Sequence, residues 1–208
     1  MKNKPLGMRI GESVFCIGYL LFVSAAACVF LKRGNALGSL MTLLLGGGDA
    51  FHLIPRILGN IRGEKDNDAF WLGLGNLVSS ITMTVFYVIL YLVMDRKYAL
   101  SESIYYVLLV LCAIRILLCL MPQNNWFAHA GNPKWGIIRN VPFVIMGIIT
   151  VAYLFGCGET LMAVLVTVSF ICYMLVVLLA HKKPMMGMMM IPKTICYIWM
   201  IARLLSGK

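Results

Sequence analysis

The chain has 208 residues, 61% of them hydrophobic and 12% charged, with a formal net charge of +10. Soluble domains are about half apolar and about one quarter charged, so this composition excludes an ordinary soluble domain and points to lipid as the solvent. The positive charge does not indicate nucleic acid: no soluble basic domain is long enough to carry such a site, and most Lys and Arg lie between apolar runs, where topology and anionic headgroups require them.

Seven apolar runs follow one another, which predicts an all-α, polytopic integral membrane helical bundle forming a single transmembrane domain over residues 1–208. The first run, 13–31, follows Lys2, Lys4 and Arg9 and is closed by Lys32-Arg33-Gly34-Asn35. Its Ser24-Ala25-Ala26-Ala27-Cys28 has the outline of a lipoprotein cleavage site, yet the run continues to Leu31 and another follows at once, so it reads as a first transmembrane helix. The second, 36–58, carries Gly46-Gly47-Gly48-Asp49-Ala50-Phe51-His52-Leu53-Ile54-Pro55-Arg56, and the third, 69–94, ends at Asp95-Arg96-Lys97. The fourth, 102–121, has Ser101 as N-cap, and a loop with Asn124, Asn125, His129 and Pro133 leads to the fifth, 136–155. Gly156-Cys157-Gly158-Glu159 turns the chain into the sixth, 160–180; His181-Lys182-Lys183-Pro184 precedes the seventh, 185–205, which contains Lys193. None of the seven cysteines forms a C-x-x-C pair, and nearly all lie in apolar runs, as small hydrophobes in helix packing do.

Basic residues set the expected orientation. Lys2, Lys4, Arg9, Arg62, Lys65, Lys134, Lys182 and Lys183 fall on one side; Lys32, Arg33, Arg96, Lys97 and Lys208 fall on the other. The larger set predicts a cytoplasmic N-terminus and an outward C-terminus in the plasma membrane.

The acid, imidazole and guanidinium of the second run are costly in lipid unless they face protein or water. At 1.5 Å per residue, Asp49 lies ~13 Å from the expected cytoplasmic end of its helix, His52 ~9 Å, Asn76 ~10 Å, Ser80 ~16 Å, Arg115 ~9 Å and Lys193 ~12 Å. Chain direction alternates, yet these residues form one layer, which predicts a polar cavity on the cytoplasmic side. Asp49, His52 and Arg56 share a helical stripe, continued by Gly38, Thr42 and Gly46 as small residues that admit a neighbouring backbone. Asp49 and Arg115 share a depth, and each needs a partner. Pro55, Pro142 and Pro192 are expected to bend their helices. Each polar residue also has a structural reading: Arg56 and Arg139 as cations reaching headgroups, Asn76, Ser80 and Thr84 as interhelical hydrogen-bonding groups, Lys193 as counter-ion to Asp49.

Gly48-Asp49-Ala50-Phe51-His52-Leu53-Ile54-Pro55-Arg56 resembles the G-D-A-x-x-L-x-P-R stretch of the YhhN-type family of lysoplasmalogenases. Phe70-Trp71-Leu72-Gly73-Leu74-Gly75, then Phe86-Tyr87 and Tyr91, are similar to that family's next helix, and Ser169, the basic loop, Cys196-Tyr197 and Arg203 are similar to its C-terminal part. The chain departs from the pattern in having seven runs where the family has eight helices, small polar residues near Ser80 in place of a histidine, and Phe170 at a second acidic position. The resemblance implies hydrolysis of a lysophospholipid vinyl ether without a cofactor or metal. Asp49 or His52 would deliver the proton, and Arg56, Asn76, Ser80, Arg115 and Lys193 would hold the substrate.

Other classes stay open. An intramembrane acid beside basic residues also suits a small-solute or lipid transporter, although no repeat is visible, and a non-catalytic lipid-binding protein is a third reading. Asp49, His52, His129 and His181 are dispersed without metal-ligand spacing, and the third helix has no carboxylate to act as counter-ion to a retinal Schiff base on Lys193.

Overall fold

The computed structural model describes residues 6–62, 68–127, 132–179 and 188–207. The elements are α1 (Leu6–Lys32), α2 (Ala36–Arg62), α3 (Asp68–Tyr98), α4 (Glu102–Leu120), α5 (Pro133–Ile138), α6 (Val141–Gly156), α7 (Thr160–Leu179) and α8 (Met190–Ser206). A single 3₁₀ turn, Pro122–Asn124, follows α4. Helix is the expected answer in lipid, because every backbone polar group must be satisfied within its own segment. Among the described residues six helical spans are long and apolar enough to cross a membrane, α5 and α6 counting as one. With 17 residues, α8 lies at the short end of spanning length.

Several expected boundaries change. Helix α1 begins at Leu6 rather than at 13, α2 runs on to Arg62 and α3 to Tyr98, because short polar stretches at a membrane surface continue a helix as readily as they end one. The expected fifth helix is two. It breaks at Arg139-Asn140, and Pro142 opens α6 from its first turn instead of bending a longer helix. Pro192 likewise sits in the first turn of α8, where its missing N–H has no intrahelical partner to lose. Residues 185–187 of the expected seventh helix, and Ala180 of the sixth, lie outside the described residues.

Helix α3 is the centre, packed on α2, α4 and α6; α1 contacts α2 and α8, and α7 lies between α6 and α8, so the helices close into a ring. The glycine run explains how α2 fits between two neighbours. A Cβ on Gly46 would stand 2.2 Å from Val23 Cγ1 of α1, and one on Gly48 would stand 1.8 Å from Thr82 Oγ1 of α3. Gly47 points to open space. Residues two apart on a helix face nearly opposite ways, so the first and third glycines bring two different helices close. Thr84, Phe86, Tyr87, Leu90 and Tyr91 of α3 are fully buried, and edge-to-face ring contacts link Tyr87 to Phe143 and Tyr91 to Tyr153.

Candidate functional site: a cationic intramembrane cavity

A cavity of about 160 Å³ lies toward the N-terminal side of the bundle, lined from α2 (His52), α3 (Asn76, Ser79, Ser80), α4 (Arg115), the α5–α6 junction (Arg139), α7 (Tyr173) and α8 (Lys193). Met83, Trp126, Phe143, Val176, Val177 and Met190 complete its wall. His52, Asn76, Ser80, Arg115 and Lys193, proposed from sequence, are thus brought together; Asp49 and Arg56 are not among the lining residues.

Arg115 is completely buried. Its Nη2 donates to Asn140 Oδ1 at 3.2 Å and to the Tyr173 hydroxyl at 3.4 Å, and its guanidinium carbon stands 3.3 Å from the centre of the Phe143 ring. The Tyr173 hydroxyl donates to the same Asn140 oxygen at 2.9 Å, and the Asn140 amide donates to Gly136 O at 2.7 Å, so the acceptor is fixed from both sides. Arg115 Nε and Nη1 have no hydrogen-bond partner. Arg139 is placed by the segment after α4. Asn124 donates to Leu118 O and Met121 O, Trp126 Nε1 donates to Cys119 O at 2.8 Å, and Arg139 Nη1 then donates to Asn124 Oδ1 at 2.8 Å. The Arg139 guanidinium lies 4.0 Å from the centre of the Trp126 ring, beside the negative end of α4, and its Nε is unpartnered. The Lys193 side chain is buried, with Nζ 5.4 Å from the centres of both the Tyr173 and Tyr197 rings. Among the described residues it has no ion pair. His52 Nδ1 is a further buried polar atom without a partner.

Asp49 belongs to a different set of contacts. Its Oδ2 accepts from the Tyr19 hydroxyl at 2.9 Å and its Oδ1 from Ser79 at 3.0 Å. The expected approach to Arg115 is replaced by two neutral donors. The longer α2 gives the reason: Asp49 is ~20 Å along the helix from Arg62, whereas Arg115 is only ~8 Å from Leu120, so equal depth no longer holds. Arg56 forms an ion pair with Glu12 of α1 and fixes the α1–α2 contact. Ser80 donates back to Asn76 O at 2.7 Å and Thr84 back to Ser80 O at 2.7 Å, ordinary intrahelical bonds.

Sequence reasoning missed Tyr19 and Ser79, and a signal for both exists. Tyr19 and Asp49 each stand 15 residues from Gly34 in the α1–α2 turn, and Glu12 and Arg56 each stand 22 residues from it. In an antiparallel helical pair, positions equidistant from the turn lie at one level. Asp49 and Ser79 are likewise each 15 residues from position 64, in the α2–α3 connection.

A second polar cluster lies at the opposite face. Glu159 is buried, and its own carbonyl accepts the first hydrogen bond of α7. Its Oε1 accepts from Lys97 Nζ at 2.9 Å and from the Tyr98 hydroxyl at 2.5 Å; its Oε2 accepts from Arg203 Nη2 at 2.9 Å and Nε at 3.2 Å. Burial by itself pushes the Glu159 carboxyl up, but the hydrogen bonds from Tyr98, Lys97 and Arg203 outweigh it and hold the group at about 2. Here Lys97 and Arg203 pair with one carboxylate, as Arg56 does with that of Glu12. The cavity cations do not, since no Asp or Glu lines it.

Among the described residues no group of three His, Cys, Asp or Glu side chains is placed to hold a metal ion; His129 and His181 lie outside them. Fold and site define a polytopic α-helical membrane protein with a cationic cavity inside the bundle. Comparison with family models, with curated proteins and with solved structures finds no match to this chain.

Proposed function

We propose that this protein binds the anionic group of a membrane amphiphile in the cavity, with the N-terminal side facing the cytoplasm of a plasma membrane. One observation carries the reading: Arg115 and Lys193, both buried, face a cavity together with Arg139, and no carboxylate lines it. An uncompensated buried cation costs several kcal/mol, and ionisable groups at membrane depth mark ligand paths. An anion in the cavity supplies the missing counter-charge. The test is thermal unfolding of the purified protein in neutral detergent with anionic or uncharged single-chain amphiphiles. Anionic ones should raise the Tm, and the rise should disappear in Lys193→Met. Equal shifts from both kinds would overturn the reading.

A second reading, lysoplasmalogenase-like hydrolysis, is favoured by His52, whose imidazole lines the cavity one helical turn from Asp49. There the imidazolium gives its proton to the vinyl ether carbon, water captures the resulting cation, and the hemiacetal collapses to an aldehyde and a glycerophospho-alcohol. Asp49, held by Tyr19 and Ser79, stabilises the cationic His52 instead of acting as the acid. Aldehyde release from lysoplasmalogen, lost in His52→Gln, tests it; no aldehyde from the unaltered protein removes this reading and leaves the binding proposal standing.

A further inference from the structure

We propose that the cavity selects a phosphate monoester, a dianionic group, over the zwitterionic phosphodiester headgroups of choline and ethanolamine lipids. This rests on the anion-binding reading above and narrows it to one chemistry.

Three observations converge. The first is charge. Arg115, Arg139 and Lys193 line the cavity, and Asp49 is the acid behind it, one hydrogen bond beyond Ser79. With His52 counted as neutral, the surplus is two positive charges, which a dianion balances and a zwitterion does not.

The second is the number of free donors. Arg115, Arg139 and Lys193 bring their N–H groups from three separate parts of the fold to one space, Lys193 makes no ion pair among the described residues, and Arg115 Nε and Nη1 and Arg139 Nε, closed off from solvent in the empty cavity, have no partner there. A monoester presents three terminal oxygens to such a set, where a diester presents two.

The third concerns the ammonium of a zwitterionic headgroup. Proteins hold such a cation with a carboxylate or on aromatic faces. No carboxylate lines this cavity. The aromatic rings that do are already covered by the protein's own cations: Phe143 by Arg115, Trp126 by Arg139, and Tyr173 by Lys193. A choline or ethanolamine group would enter a site that offers it only like charges.

The experiment compares four probes on the full-length protein in neutral detergent: lysophosphatidate, lysophosphatidylglycerol and lysophosphatidylcholine of one acyl chain, and inorganic phosphate. Lysophosphatidate should bind roughly tenfold or more tighter than either diester, the size expected for one additional partly buried charge interaction. The preference should fall toward unity in Lys193→Gln and in Arg139→Gln; the second variant keeps the test valid if the first fails to fold. Inorganic phosphate identifies the source. Competition only at far higher concentration assigns a lipid headgroup, and competition at equal concentration assigns a soluble phosphate; both support the monoester site. Equal binding of lysophosphatidate and lysophosphatidylglycerol, both tighter than lysophosphatidylcholine, would overturn the monoester proposal while the anion-binding reading survives. Equal binding of all three lipids would overturn both.

Discussion

The Tyr19 hydroxyl donates to Asp49 Oδ2 at 2.9 Å across the α1–α2 hairpin, with both residues buried. This bond, together with the one from Ser79 of α3, places the carboxylate between three helices. Asp49 is therefore tied to α1 and α3 beside the cavity, whose lining holds no carboxylate.

Removing one of the two donors leaves a buried carboxylate oxygen without a partner. Tyr19→Phe is expected to destabilise the protein by about 1–3 kcal/mol, and Ser79→Ala by a similar amount. Unfolding in mixed micelles would measure both. Asp49→Asn, which keeps an acceptor for Tyr19, should cost less than Asp49→Ala.

Lys193 has the opposite balance. It is buried, contacts two aromatic rings, and has no ion pair among the described residues. Replacing it by Met, similar in length and uncharged, is expected to raise the stability of the ligand-free protein by roughly 1 kcal/mol or more while abolishing stabilisation by anionic amphiphiles. Thermal unfolding with and without ligand reads both effects. A stabilised variant that still responds to ligand would place the anion elsewhere.

The three glycines of α2 make an internally controlled series. Gly46→Ala and Gly48→Ala should each cost about 1–3 kcal/mol, since the new methyl groups would overlap Val23 and Thr82. Gly47→Ala, facing open space, should be neutral or stabilising by up to about 1 kcal/mol through helix propensity. Equal effects at the three positions would contradict the packing of α2 between α1 and α3.

Glu159 predicts a pH dependence. Its carboxyl is held at about 2, below the ordinary 4.5. A folded-state value below the unfolded one contributes stability that is fully present above about pH 4.5 and is lost as the pH falls toward about 2. Lys97 is half exposed, so solvent screens part of the interaction, and the contribution at neutral pH is roughly 2 kcal/mol. The stability gap between the unaltered protein and Glu159→Gln should be constant from pH 8 to about 5 and close in more acidic solution. A gap that persists unchanged at about pH 2 would remove the carboxylate as its cause.

The apolar runs and the turn-forming stretches between them made the helical class and the order of the passes legible. Pairing was less so. Ser80 stood out because it continues a polar stripe with Asn76 and Thr84, yet its hydroxyl bonds within its own helix, and Ser79, one position away, reaches Asp49. One residue is a rotation of about 100° on a helix, and hydropathy in an evenly apolar segment says little about rotation. Glu159 read as part of a turn, because its partners Lys97, Tyr98 and Arg203 come from helices distant in sequence.

By itself the sequence determined that this chain is a bundle of apolar helices with an unusual load of polar groups toward its N-terminal side, because length and hydropathy decide what lipid can dissolve. The tertiary structure decided which of those groups satisfy one another and which are left facing a space. Helix rotation and neighbour order gave Asp49 two neutral donors and Arg56 an acid, and left Arg115, Arg139 and Lys193 around a cavity with no anion in its wall. That division between charges with partners and charges without them is what the proposed anion binding rests on.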